Sequence, residues 1–151
     1  MMKILFVTAL AVISFYDIKK KEIPNRYVLM IIVLAMIDAI LIGKWDLPRR
    51  AIGMLCVSVP LFIVAVITKG AFGGGDIKLM AAGGFFLGWR LILAAAIIAF
   101  LAAGIYSIAL LVIKRGARKH EIAFAPFLCM GMAVSLAAGN RLIQWYLNLP
   151  L

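Results

Sequence analysis

Apolar residues fall into six long runs, at about 3–16, 27–42, 51–68, 77–88, 91–113 and 122–138, with short polar or basic connections between them. Runs of this kind predict helices in lipid. The fold expected is therefore all-α, a polytopic membrane helix bundle of about six transmembrane helices forming one domain over 1–151. Several runs fall short of the ~20 residues that cross a ~30 Å hydrocarbon core. The run 77–88 rises only ~18 Å as a helix. It either extends through its flanks or stops where protein and a water-filled cavity replace lipid, the setting in which irregular backbone is tolerated at membrane depth. The glycines just before it fit the second option. No small-residue cleavage site follows the first run, which leads into Tyr16-Asp17 and a lysine cluster, so it is expected to stay as a span. The stretch from Asn140 to Leu151, with Trp145 and Tyr146 among leucines, predicts an interfacial segment anchored by its aromatics.

Composition agrees with lipid as the solvent. The chain is 66% hydrophobic with a mean hydropathy of +1.13, against roughly 45–50% apolar residues in soluble domains. The net charge of +10 does not point to nucleic acid, because the basic residues sit in short connections and on no single soluble face. It sets orientation instead. The connections after the first, third and fifth runs carry Lys19, Lys20, Lys21, Arg26, Lys69, Lys78, Lys114, Arg115, Arg118 and Lys119. The opposite side has Lys3, Lys44, Arg49, Arg50, Arg90 and Arg141. This bias places the N-terminus outside and the more basic side in the cytoplasm, against anionic headgroups worth ~1 kcal/mol per basic residue. Cys56 and Cys129 lie inside apolar runs with no Cys or His at ligand spacing, so they read as small packing residues; no metal or cofactor is expected.

Two acids carry the candidate chemistry. Asp17 ends the first run, and Asp76 opens the fourth after Gly73-Gly74-Gly75. Helix parity puts both at the same side of the membrane, and an ionisable residue there is a functional candidate by default. Plainer readings stand beside this one. Asp76 is also a favoured N-cap type, and Asp17 sits next to three lysines able to neutralise it. The three glycines add what a cap does not need: they permit φ > 0 and leave room for another backbone, such as a substrate peptide, beside the carboxylate. Asp38 lies ~16 Å deeper along its helix, too far to join the pair, and is expected to pair with Lys44 or Arg49. Asp46 falls in an outer connection, Glu22 and Glu121 read as local charge partners, and His120 sits in a basic run, leaving no histidine triad. Two carboxylates within ~3 Å share one proton. Such a pair activates water with one acid while the other protonates the carbonyl or the leaving nitrogen.

These residues resemble the type IV prepilin peptidases, membrane aspartic proteases of the GxGD class. Gly73-Gly74-Gly75-Asp76 fits GxGD and Ile77-Lys78-Leu79-Met80-Ala81 continues the pattern. Asp17, then five residues, then Ile23-Pro24-Asn25 fits the first-aspartate motif. Glu121-Ile-Ala-Phe-Ala-Pro126-Phe127 is a weaker third match, with Ala123 where proline is frequent. The resemblance implies that Asp17 and Asp76 are catalytic, with Gly73, Gly74, Gly75, Pro24, Asn25, Lys78 and Pro126 shaping the site. It implies a substrate: the leader of a prepilin or pilin-like precursor, whose basic leader and apolar helix put the cleaved bond at the cytoplasmic face of the inner membrane. Longer relatives insert a cysteine-rich domain and also methylate the product. The connection of about ten residues after the first run, without cysteine, favours the short peptidase-only branch associated with Flp-type pili or archaeal preflagellins. Presenilin-like GxGD proteases are a more distant likeness, lacking Ile-Pro-Asn. A proton- or ion-coupled transporter component with a Gly-rich broken helix is the competing class, and a noncatalytic assembly role a third. Oligomeric state is not legible.

Overall fold

The computed structural model describes residues 1–21, 23–41, 46–69, 72–113 and 123–147. Six helices follow in order: α1 (Met2–Lys20), α2 (Asn25–Leu41), α3 (Leu47–Ile67), α4 (Gly74–Leu87), α5 (Trp89–Ile113) and α6 (Ala125–Leu147). Each apolar run has become one helix, and the bundle is all-α among the described residues. Three helices are long and apolar enough to cross a membrane on their own, over Leu47–Ile67, Trp89–Leu110 and Ala125–Trp145. The others depend more on their neighbours.

The helices reach further than hydropathy suggests, because polar residues join their end turns. α1 takes in Asp17, Lys19 and Lys20 before Lys21 closes it in the left-handed region at φ 52°, its N–H returning to the Asp17 carbonyl. Only four residues then separate α1 from α2, fewer than the ten expected. Pro48 opens α3 in its first turn, where a missing N–H costs nothing, and this draws Arg49 and Arg50 into the helix. Lys78, Arg90 and Arg141 likewise lie inside helices. The stretch after Asn140 is helical as far as Leu147, as the last part of α6; residues 148–151 lie outside the described ones. The leucines of α6 continue the helical ladder, which satisfies the backbone internally.

α4 is the hub. It packs against α2, α3, α5 and α6, and Phe86 stacks on Phe6 of α1 with ring centroids 4.1 Å apart. At 14 residues it rises about 21 Å, and most of it is sheathed by protein. Its shortness is thereby tolerated, as the second option above requires. Contact with α3 is at backbone range: a Cβ on Gly53 would lie 2.4 Å from the Gly84 carbonyl oxygen, so that crossing admits only glycine. Gly88, at φ 77°, ends α4 and turns the chain into α5. The apolar faces of α3 and α5 turned away from α4, including Ile63, Ile97, Leu101 and Ile105, stay exposed for lipid to cover.

The end of the bundle away from the two candidate acids is pinned by a buried ion pair. Arg50 Nη2 donates to Asp38 Oδ2 at 3.0 Å, and Nη1 donates to the carbonyls of Ala35 and Phe85 at 3.3 Å each. Asp38 therefore pairs with Arg50 and, among the described residues, not with Arg49; the other expected partner, Lys44, lies outside them. The reason is the extra turn of α3, which carries Arg50 inward. Arg49 packs beside Gly88 instead. Lys44, Glu22, His120, Glu121 and the basic residues Lys114, Arg115, Arg118 and Lys119 lie outside the described residues.

Candidate active site

Asp17 is the first residue of the last α1 turn, and Asp76 is the third residue of α4. Both are buried, 5% and 9% exposed, and both line one cavity of about 380 Å³. The charge on Asp17 acts on Asp76. Among the described residues, the walls come from the ends of α1, α2 and α4: Lys21, Ile23, Asn25, the three glycines and Lys78. The two acids thus meet at one end of the bundle, as helix parity requires.

Each carboxylate is held differently. Asp17 Oδ2 accepts the backbone N–H of Ala125 at 3.1 Å, and Ala125 is the first residue of α6. Asp17 therefore faces the positive end of a second helix, and an anion accepting an amide there is stabilised. Asp76 lies in the first turn of its own helix, so both acids sit at helix N-termini. Asp76 is not the cap: the N-cap of α4 is Gly73, in extended conformation at φ −66°, ψ 142°.

The glycines work by size rather than by positive φ. A Cβ on Gly75 would fall 2.9 Å from Ile23 Cβ, one on Gly73 would fall 3.3 Å from Asp76 Oδ2, and one on Gly74 would meet nothing within 4 Å. Gly75 lets the first-motif segment lie against the α4 start, whereas Gly74 faces open space. A second tie joins the motifs, with Lys78 Nζ donating to Asn25 Oδ1 at 3.1 Å. Pro24 offers its carbonyl to the Tyr27 amide at 3.1 Å and so starts α2. It stands beside the cavity rather than in its wall.

Pro126 does not line the cavity. It sits in the first turn of α6 next to Ala125, so its link to the acids is indirect. Three contributors escaped the sequence reading. The Ala125 amide has no side-chain signature at all. Cys129, one turn further along α6 and 4% exposed, lies close enough to both acids to feel their charge. An aromatic cluster fixes the two loop ends: Phe72 packs edge-on against Phe124 at 5.2 Å and Phe100 at 6.0 Å between ring centroids. Phe72 directly precedes Gly73 and Phe124 directly precedes Ala125, so this cluster anchors the flanks of both acids' supports. Only their apolar sequence context marked them.

Paired buried acids, supplied by two helices at one end of a membrane-helix bundle, define a class of intramembrane site able to do acid–base chemistry. Comparison with known proteins makes the assignment specific. The model of the type IV leader peptidase family matches residues 4–108, and the chain belongs to that family. It is 32% identical over 153 residues to a prepilin leader peptidase/N-methyltransferase of Bacillus subtilis (strain 168), an alignment covering 98% of this chain and 60% of that protein. A protein of the same description from Aeromonas salmonicida (strain A449) is 25% identical, over 96% of this chain and 52% of its own length. The chain thus spans little more than half the length of these relatives. No solved structure matches it. The transporter reading is left without support.

Proposed function

We propose that this chain is a membrane aspartic endopeptidase that removes the leader from a prepilin or pilin-like precursor, with Asp17 and Asp76 as the catalytic pair. The observation that carries the reading is the convergence of the two buried carboxylates on one cavity. The pair holds one proton between its two carboxyl groups. The ionised acid takes a proton from water as its oxygen attacks the scissile carbonyl carbon, and the protonated acid gives its proton to the carbonyl oxygen. When the tetrahedral intermediate collapses, the C–N bond breaks and the acid that gained water's proton passes it to the leaving nitrogen. The carbonyl oxygen returns the other proton, which restores the pair. Asn25, Lys78 and Gly75 hold the two motifs in register, and no metal or cofactor takes part in the scheme.

The relatives' names include methyl transfer as well as cleavage. We assign this chain only the cleavage step, because the paired acids supply nothing for methyl transfer and the four-residue α1–α2 connection holds no folded insert. The domain reading stays that of one membrane-embedded peptidase unit over 1–151. The basic residues near the acids, Lys19, Lys20, Lys21 and Arg26, favour placing this end of the bundle in the cytoplasm. The enzyme would then act at the inner membrane with its N-terminus outside. The test is cleavage of a pilin-like precursor from the same genome by the purified chain in detergent, with no gradient, read by product mass. Asp17→Asn and Asp76→Asn should each lower the rate by at least about a hundredfold, the scale of lost general acid–base catalysis. Processing that survives either change rules the pair out.

A further inference from the structure

A groove of about 410 Å³ runs between α3 and α5 and is lined by Cys56, Pro60 and Val64 of α3, Ala96 and Phe100 of α5, and Phe72. Its lining is apolar throughout. Phe72 is part of that lining, and the next residue, Gly73, lines the cavity that holds the two acids. The groove and the cavity are therefore neighbours across a single residue.

Depth gives the groove its meaning. Phe100 meets Phe124 at 5.6 Å between ring centroids, which puts it level with the start of α6 and with the Asp17 carboxylate held there. The apolar span of α5 continues ten residues past Phe100, to Leu110, or about 15 Å. Ile105 and Ile108 on this projection are 70% and 64% exposed. Beside the acids themselves, Lys19, Lys20, Lys21 and Lys78 are exposed as well, so the acids sit at the edge of the apolar zone, with the groove running into it. A peptide whose cleaved bond reaches them has the residues on the bilayer side of that bond in hydrocarbon, and there only a helix satisfies the backbone.

We propose that the α3–α5 groove receives the apolar helix of the substrate, entering sideways from the bilayer, and so sets which bond meets the acids. This rests on the peptidase reading above. A larger groove, about 730 Å³ between α5 and α6, ends on Arg90 and Trp145 at the far end of the bundle. It has no such connection to the acids and serves as the control.

A photoreactive benzoylphenylalanine is placed at Val64 or, as control, at Leu142 in the Asp76→Asn variant. Each is irradiated in phospholipid vesicles with a tagged precursor that has a basic leader followed by an apolar helix. An adduct with the precursor is expected from position 64 and not from 142. Adducts from both positions, or at 64 only with lipid or with a second copy of this chain, overturn the groove while wild-type cleavage leaves the peptidase reading standing. Absence of cleavage by the wild type sinks the peptidase reading, and the groove proposal with it. As a second measure, Val64→Trp should raise KM about tenfold, the scale of a filled apolar pocket, with kcat preserved. The matching Leu142→Trp change should leave KM as it is, and an unchanged KM in Val64→Trp also overturns the proposal.

Discussion

Gly75 and Ile23 set how closely α4 approaches the α1–α2 connection, and so how Asp76 stands relative to Asp17. With Ile23 Cβ 2.9 Å from where a Gly75 Cβ would be, Gly75→Ala forces the two segments apart. Overpacking of this kind costs about 1–3 kcal/mol, and cleavage should fall by about ten- to a hundredfold. Adding Ile23→Ala should recover part of the loss, while Gly74→Ala, facing open space, should leave the rate close to wild type; initial rates on one precursor measure all three. The motif showed where glycine is required but not why. Positive φ was the natural expectation for three glycines in a row, yet among the described glycines only Gly88 uses it. What decides the matter is Ile23, 52 positions away in sequence, and no local pattern announces that contact.

Among the elements, α3 illustrates how a helix boundary changes a partner. Its start at Leu47 turns Arg50 inward to Asp38, with both side chains largely buried at 12% and 13% exposure. Removing one member of such a pair leaves an uncompensated charge, at a cost of about 3–5 kcal/mol. Asp38→Leu should therefore lower resistance to thermal unfolding in detergent markedly, and Asp38→Leu with Arg50→Met should regain much of it. Cleavage below the transition should persist, since the pair lies at the opposite end of α4 from Asp76. Hydropathy found all six helices because apolarity is what lipid selects. It missed their ends because the terminal turns are built from charged residues that look like loop. The expected Arg49 pairing failed for that reason alone.

At the scale of the whole molecule, the proposed α3–α5 groove brings the substrate to the acids from the bilayer side. A precursor stripped of its apolar helix, leaving only the leader and a few residues past the cleaved bond, should then be cut with a KM at least about tenfold higher. Steady-state kinetics on the two substrates decides this. Parity was enough to bring Asp17 and Asp76 to one end of the bundle before any coordinate was known, since it depends only on counting. How far α5 runs past the acids was not legible, because it depends on where a long α5 and a short α4 end. Holding Asp17 by the Ala125 amide has a last consequence. Every amino acid except proline brings that same donor, so replacing side chains one at a time leaves this contact intact. Inhibitor-resistant variants that arise by such replacements would keep it too, which makes the Asp17–Ala125 corner a foothold that escape mutations cannot readily erase.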